Sequence, residues 1–291
     1  MHTNISTINE TADERQESRF DYKVEQVPLL TPDGQSTRFF GTRRIDTGEV
    51  FATVTDRYEI LQNDVLVSAT EDLFKSKGMD GWKRKEVVTH GGARMRAIYD
   101  FPNIGGKVDG QDLTFRLKVQ NSFDGSLRAS FAVGLVRLIC SNGLAAPVNT
   151  LNLTKKHTTS IEASFVGTAL DSAVQSFHNA LPAFRAMAEM PVTMQDGKRI
   201  LLNLADRKVL TERHADAIGR IWSEPTYRED SKRNLWNLYN AATQHFTHDV
   251  EAGGRGKPRF ELAERLNTAV MTQFVRTART GRIEDLLIKL N

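Results

Sequence analysis

Residues 112–145 read DLTFRLKVQNSFDGSLRASFAVGLVRLICSNGLA, and their spacing decides the fold. Leu113, Phe115, Leu117 and Val119 alternate with Thr114, Arg116, Lys118 and Gln120, the period-two pattern of a strand with one buried and one wet face. Leu127, Ala129, Phe131, Val133 and Leu135 resume the pattern after Asn121-Ser122-Phe123-Asp124-Gly125-Ser126, whose Asn, Asp and Gly favour a tight reversal. The stretch predicts two paired strands, with Arg116 and Lys118 sharing the wet face and Arg128 brought near them. Aligned cations on a rigid sheet suit a polyanion better than a small neutral ligand.

The same punctuated alternation extends over residues 21–148, with runs around 22–30, 37–45, 50–61, 82–89 and 93–101. Thr31-Pro32-Asp33-Gly34, Asp46-Thr47-Gly48 and His90-Gly91-Gly92 supply the turns between them. One helix interrupts the strands: Asn63 or Asp64 caps it, Val65, Ala69, Leu73 and Phe74 fall on one side, and Gly78 ends it. From about residue 160 the period becomes helical, with Phe165, Leu170, Val174, Phe177 and Leu181 in a stripe ending near Pro191. Further helices are predicted over 201–209, 211–222, 231–246, from Pro258 onward, and over 283–290. The expected fold is α+β: a flexible polar tail over 1–19, a curved antiparallel β-sheet domain with a packed helix over 20–158, and a helical domain over 159–291.

Composition sets the outer limits. A chain of 291 residues with 40% hydrophobic and 26% charged residues is ordinary soluble composition, and a net charge of +3 permits nucleic-acid binding without requiring it. The single cysteine, Cys140, excludes an internal disulfide and a CxxC metal knuckle, and its neighbours Leu138 and Ile139 predict a buried thiol. No apolar run approaches the roughly 20 residues of a membrane span. The N-terminus has no signal-peptide apolar core, so a cytoplasmic location without membrane contact is expected.

Basic residues concentrate in the sheet half. Arg94 and Arg96 are two apart in one predicted strand and point the same way, as Arg116 and Lys118 do, so neighbouring strands could present four cations on one face. Arg128, Arg137, Lys155 and Lys156 extend the candidate phosphate-binding set. Arg137 follows the point where the alternation slips past Gly134, which equally fits a partly buried salt bridge. Phe123, an aromatic in a polar turn, is the leading candidate for base stacking, ahead of Phe39, Phe40, Tyr58 and Trp82; the plain alternative is that it folds back on the core. Trp222, Trp236 and Tyr239 lie on helical stripes and are predicted core residues.

Motifs for chemistry are sparse. Gly253-Gly254-Arg255-Gly256-Lys257-Pro258-Arg259 is a glycine-basic loop but not a P-loop, because Glu251 and Pro258 stand where Gly and Ser or Thr would be needed. His245, His248 and Asp249 have a spacing at which a metal is geometrically possible, yet no HExxH and no further ligand cluster accompany them. There is no GxSxG and no readable Cys-His pairing. No cofactor, no metal and no catalytic constellation are expected.

Several strings resemble one family. They are residues 48–58 with Gln62-Asn63, the turn Asn121-Ser122-Phe123-Asp124-Gly125-Ser126, Val136-Arg137-Leu138-Ile139-Cys140-Ser141-Asn142-Gly143-Leu144, and Asn234-Leu235-Trp236-Asn237-Leu238-Tyr239-Asn240-Ala241. In order and spacing they are similar to the phage- and plasmid-associated domain of unknown function numbered 932. That resemblance implies a genomic setting of phages, prophages and plasmids. In strand and helix order and in its basic strands, the chain more distantly resembles phage single-strand annealing recombinases of the Red-beta, Erf and Sak type. The likeness implies a basic groove for one DNA strand and a ring or filament of identical subunits. The expectation is therefore a non-enzymatic DNA-binding protein of a bacterial host cell. It would act as a homo-oligomer on single-stranded DNA, possible duplex intermediates included, in annealing or recombination. A metal-dependent nucleic-acid-processing or anti-restriction enzyme and a phage structural or assembly protein are the alternatives.

Overall fold

The computed structural model describes residues 20–127, 129–137, 143–145, 153–155, 163–250 and 260–287. The expected tail, Cys140 and the glycine-basic loop lie outside the described residues. The architecture is α+β, with antiparallel sheets first and helices after them.

β1 (Val24–Leu30), β2 (Ser36–Arg44) and β3 (Val50–Thr55) pair in chain order as a three-stranded antiparallel sheet. Gly34 and Gly48 close its two turns at φ 82° and 72°, a conformation that side chains rarely adopt. The helix α1 (Asn63–Ser76) follows. Its inward face differs from the expected one: Val65 is 54% exposed, and Asn63, Leu66, Val67, Thr70 and Phe74 are buried. The phase is set by Asn63, which is pinned inside the protein by hydrogen bonds to Tyr22 and Asn121.

β4 (Lys83–Thr89), β5 (Arg94–Val108), β6 (Gln111–Ser122), β7 (Ala129–Arg137), β8 (Gly143–Ala145) and β9 (Leu153–Lys155) form a six-stranded sheet. Its order is β4-β5-β6-β7-β8, with β9 also on β7. β5 runs further than the alternation suggests. Its register against β6 jumps between Phe101 and Gly105, so the strand absorbs Pro102 in a bulge and continues to Val108.

The helices are α2 (Ala163–Glu189), α3 (Met194–Asp206), α4 (Glu212–Ser223), α5 (Leu235–Gln244), α6 (Phe260–Thr280) and α7 (Glu284–Leu287). A 3-10 turn, Arg228–Ser231, precedes α5, and a π-helix, His245–Val250, prolongs it. Thr193, Thr211 and Asn234 each accept a backbone N–H three residues on, which explains where α3, α4 and α5 start. α3 begins before the expected residue 201 because Thr193 supplies that cap.

Helices α1 and α2 cover one face of the larger sheet. Phe74 meets Tyr99 and Phe101 edge-on at 5.0 Å, and Phe177 of α2 meets Phe115 at 5.7 Å. Gly106 lets α2 come close: a Cβ there would lie 2.6 Å from Leu181 Cδ1. Behind α2, Phe184 packs on Trp236 and Tyr239, and Tyr239 packs on Phe274 of α6. A single hydrophobic cluster extends from Phe20 through both sheet and helices to Leu286. Trp222, Trp236 and Tyr239 are in it, as their spacing predicts.

A buried ion pair ties the two halves together. Arg137, 1% exposed at the end of β7, donates to both carboxylate oxygens of Asp230 in the 3-10 turn and, at 3.0 Å, to Gln111. Asn240 of α5 donates to the same Asp230 at 3.2 Å. Removing one partner strands the other charge away from water, so Asp230→Ala should lower the unfolding free energy by about 3–5 kcal/mol. Urea denaturation should show Arg137→Met with Asp230→Leu to be less damaging than Asp230→Ala alone; equal losses would refute the account.

Candidate functional site

The register of the larger sheet sorts its side chains into two faces. Lys83, Asp100 and Arg116 stand opposite one another across β4, β5 and β6, and Lys85, Ile98 and Lys118 form the next row. Val87, Arg96, Gln120 and Ser130 make a third, and Thr89, Arg94 and Ser122 a fourth. Directly opposed residues of an antiparallel sheet share a face. Lys83, Lys85, Arg94, Arg96, Arg116 and Lys118 therefore lie on one face, and Tyr99, Phe115, Leu117 and Val119 on the other, under α1 and α2. Arg84 belongs by parity to that inner face. There Glu86 at 2.8 Å and Glu71 of α1 neutralise it.

The cation face is less open than the alternation suggests. Arg116 grips Asp100 through Nε and Nη2, the latter at 2.7 Å, and Lys118 meets Glu264 of α6 at 3.3 Å. Arg94 donates to Asp124 at 2.9 Å, and Arg96, 5% exposed, donates to Gln120 at 3.4 Å. Burial opposes ionisation of Asp124, but donation from Ser126 and Arg94 outweighs it and holds the carboxyl below the usual carboxylate range. Among the described residues, Lys83 and Lys85 form no ion pair; Lys83 is exposed and Lys85 half-buried. The same parity argument applied to residues 82–89 finds both lysines, which the candidate set omitted.

Two predicted site residues are corrected outright. Phe123 is not a stacking platform: it is fully buried, 6.1 Å from Tyr22 and stacked at 6.2 Å on Phe51, because its turn folds back under the small sheet. Arg137 is not on the cation face: it stands opposite Leu113, on the core side, and is spent on Asp230. Trp82 and Tyr58 are also committed, Trp82 to Phe74 and Tyr99, and Tyr58 through its hydroxyl to the Ser122 carbonyl at 2.9 Å. Phe39 is 37% exposed, with Arg38 over its ring at 5.0 Å. Lys155 stands opposite Ala129 in the register, while Arg128 and Lys156 lie outside the described residues.

The histidine cluster takes an unexpected form. His245 Nδ1 lies 2.7 Å from Asp249 Oδ2, and His245 Nε2 lies 2.8 Å from Nδ1 of His214, on α4. Both ring nitrogens of His245 therefore have side-chain partners, Asp249 on one side and His214 on the other. No group of three or more His, Cys, Asp or Glu able to hold a metal exists among the described residues. Between α3 and α4 lies a groove of about 600 Å³ whose lining includes Leu201, Leu202, Ala215, Lys198 and Arg220. No helix among the described residues is long and apolar enough to cross a membrane.

Burial, then the neighbouring His245 and Arg213, hold His214 below the usual histidine range. The unfolded chain, with an ordinary value near about 6.5, takes up the proton first as pH falls. Stability present above about pH 6.5 is therefore lost progressively as the pH drops toward the folded value. In melting curves from about pH 7.5 to about pH 5, His214→Asn should show a shallower decline than the native chain; parallel declines would refute it.

A family model described as Domain of unknown function (DUF932) matches residues 50–281. No curated protein and no solved structure matches the chain.

Proposed function

The chain belongs to the DUF932 family, and on that premise we propose that it is a nucleic-acid-binding protein of the single-strand annealing type. In this reading it works as a homo-oligomer in the cytoplasm of a phage- or plasmid-bearing bacterial host. One observation carries the reading: Lys83, Lys85, Arg94, Arg96, Arg116 and Lys118 are gathered by register on one face of a sheet whose other face is buried. Asp100, Asp124 and Glu264 meet Arg116, Arg94 and Lys118, and among the described residues Lys83 and Lys85 form no ion pair. Phosphates arriving on such a face replace condensed counterions, which drives binding and makes it salt-dependent.

In this reading assembly of copies would use the smaller sheet. Among the described residues β1 and β3 are its edge strands, and Leu30, Phe39, Ile45 and Val50, spread over both of its ends, are exposed apolar residues. An enzyme using metal at the histidine cluster has less support, because both nitrogens of His245 are engaged by side chains.

Lys83→Glu with Lys85→Glu is the cleanest test. Reversing Arg116 would leave Asp100 unpaired and confuse folding with binding. Fluorescence anisotropy with a labelled oligothymidylate should show salt-dependent binding by the native chain. The paired variant should bind about tenfold more weakly or worse, by the loss of about two phosphate contacts and the added repulsion, with an unchanged circular dichroism spectrum. No salt-dependent binding by the native chain would overturn the proposal and favour an assembly role.

A further inference from the structure

The exposed side of α6 carries charge that nothing in the fold uses. Arg265, Thr272, Arg276 and Arg279 are exposed, and their spacings of seven, four and three residues place them on one stripe. The opposite side, Leu266, Val270, Met271, Phe274 and Val275, is buried in the core. From Arg265 to Ile283 the sequence contains no acidic residue. Arg265, Arg276 and Arg279 form no ion pair among the described residues, although every described arginine on the larger sheet has a partner. Holding guanidinium groups a turn or two apart without a carboxylate between them costs repulsion. A helix face made only to be solvated would relieve it with Glu one turn away, as Glu261 stands four residues before Arg265, but Arg276 and Arg279 have no such acid.

The stripe also starts in a particular place. Glu264, next to Arg265, is the residue that meets Lys118, so the first turn of α6 abuts the cation face of the sheet. From there to Arg279 the helix rises about 20 Å, at about 1.5 Å per residue. The Lys118–Glu264 contact thus sets the N-terminal part of the α6 stripe beside the cation face of the sheet.

We propose that Arg265, Arg276 and Arg279 form a second phosphate-contacting track, along which the single strand held on the sheet face continues over α6. This rests on the single-strand reading above and adds where the strand goes. Guanidinium groups suit the track because each can grip phosphate oxygens in a bidentate fork. The helix backbone is rigid and its apolar side is buried, so binding has to order only the arginine side chains.

The test is Arg276→Glu with Arg279→Glu, two exposed positions whose change should leave the melting temperature unaltered. Anisotropy is read with an oligothymidylate of about 30 nucleotides, longer than the roughly 4–16 that one such groove spans. The slope of log affinity on log salt should fall by about 1.4, two contacts at about 0.7 each, with an affinity loss of about tenfold. An oligothymidylate of about 6 nucleotides, short enough to be held on the sheet face alone, should lose little. If Lys83→Glu with Lys85→Glu weakens binding while the α6 variant matches the native chain, the second track is wrong and the sheet reading stands. If the native chain binds polyglutamate and not oligothymidylate, both are wrong and the stripe meets an acidic protein.

Discussion

Arg137 carries a full charge into the core, and the way it is satisfied organises the molecule. A guanidinium 1% exposed cannot be left unpaired, so the end of β7 has to meet Asp230. Asp230 in turn sits in a short 3-10 turn that must pack against the sheet. Gln111 and Asn240 complete the hydrogen bonding, and Tyr227 lies under the guanidinium at 5.7 Å. From Asn240 the polar contacts run to Asn237 and Asn234, and Asn234 reaches Asp109 at the β5–β6 turn at 3.1 Å. Lys232 closes on Asp109 from the same side at 2.7 Å. A network of this kind fixes one arrangement of helices over the sheet, where apolar packing alone would tolerate several.

A second buried network does the same at the other end. Asn121 donates to the Leu61 carbonyl at 2.8 Å and to Asn63 at 2.9 Å. Asn63 donates to the Tyr22 hydroxyl, which donates to the Gly92 carbonyl at 2.6 Å. Burial pushes the Tyr22 phenol up to about 12, against the pull of Arg44 stacked on its ring. The two networks join the strings by which the family resemblance is seen: residues 62–63 meet the 121–126 turn, and Arg137 meets Asn240 through Asp230. Those strings therefore record how the sheet is fastened to its surroundings. The cations of the proposed interface, Lys83, Lys85, Arg94, Arg96, Arg116 and Lys118, all lie outside them.

That separation bears on the proposed binding face. Its arginines are held by Asp100, Asp124 and Gln120, which orders the guanidinium groups and lowers the net field at once. Phosphates would have to compete with those carboxylates, so affinity would be strongly salt-dependent and concentrated on cations that lack them. The edge strand β4 and the outer side of α6 both carry such cations. In the proposed reading the paired residues align the path, and the unpaired ones supply most of the attraction.

Alternation and capping residues were enough to place β1 to β7 and the helices, but not the three-residue strands β8 and β9. Period two put Arg94, Arg96, Arg116 and Lys118 on one face, and Thr211 marks a helix start to the residue, while α5 starts at the Asn234 cap and not at the expected residue 231. The stripes of α4 and α5 correctly sent Trp222, Trp236 and Tyr239 inward. These are local properties, fixed by backbone geometry that acts over a few residues. What packs on a face is not local. Only the tertiary structure buried Phe123 under the small sheet, turned α1 so that Asn63 rather than Val65 faces inward, and brought His214 to His245. It also set Glu264 against Lys118 and gave Arg137 to Asp230. Each of those partners is far away in sequence, and the cost of a buried, unpaired charge or amide, which no periodicity reports, chose among the arrangements.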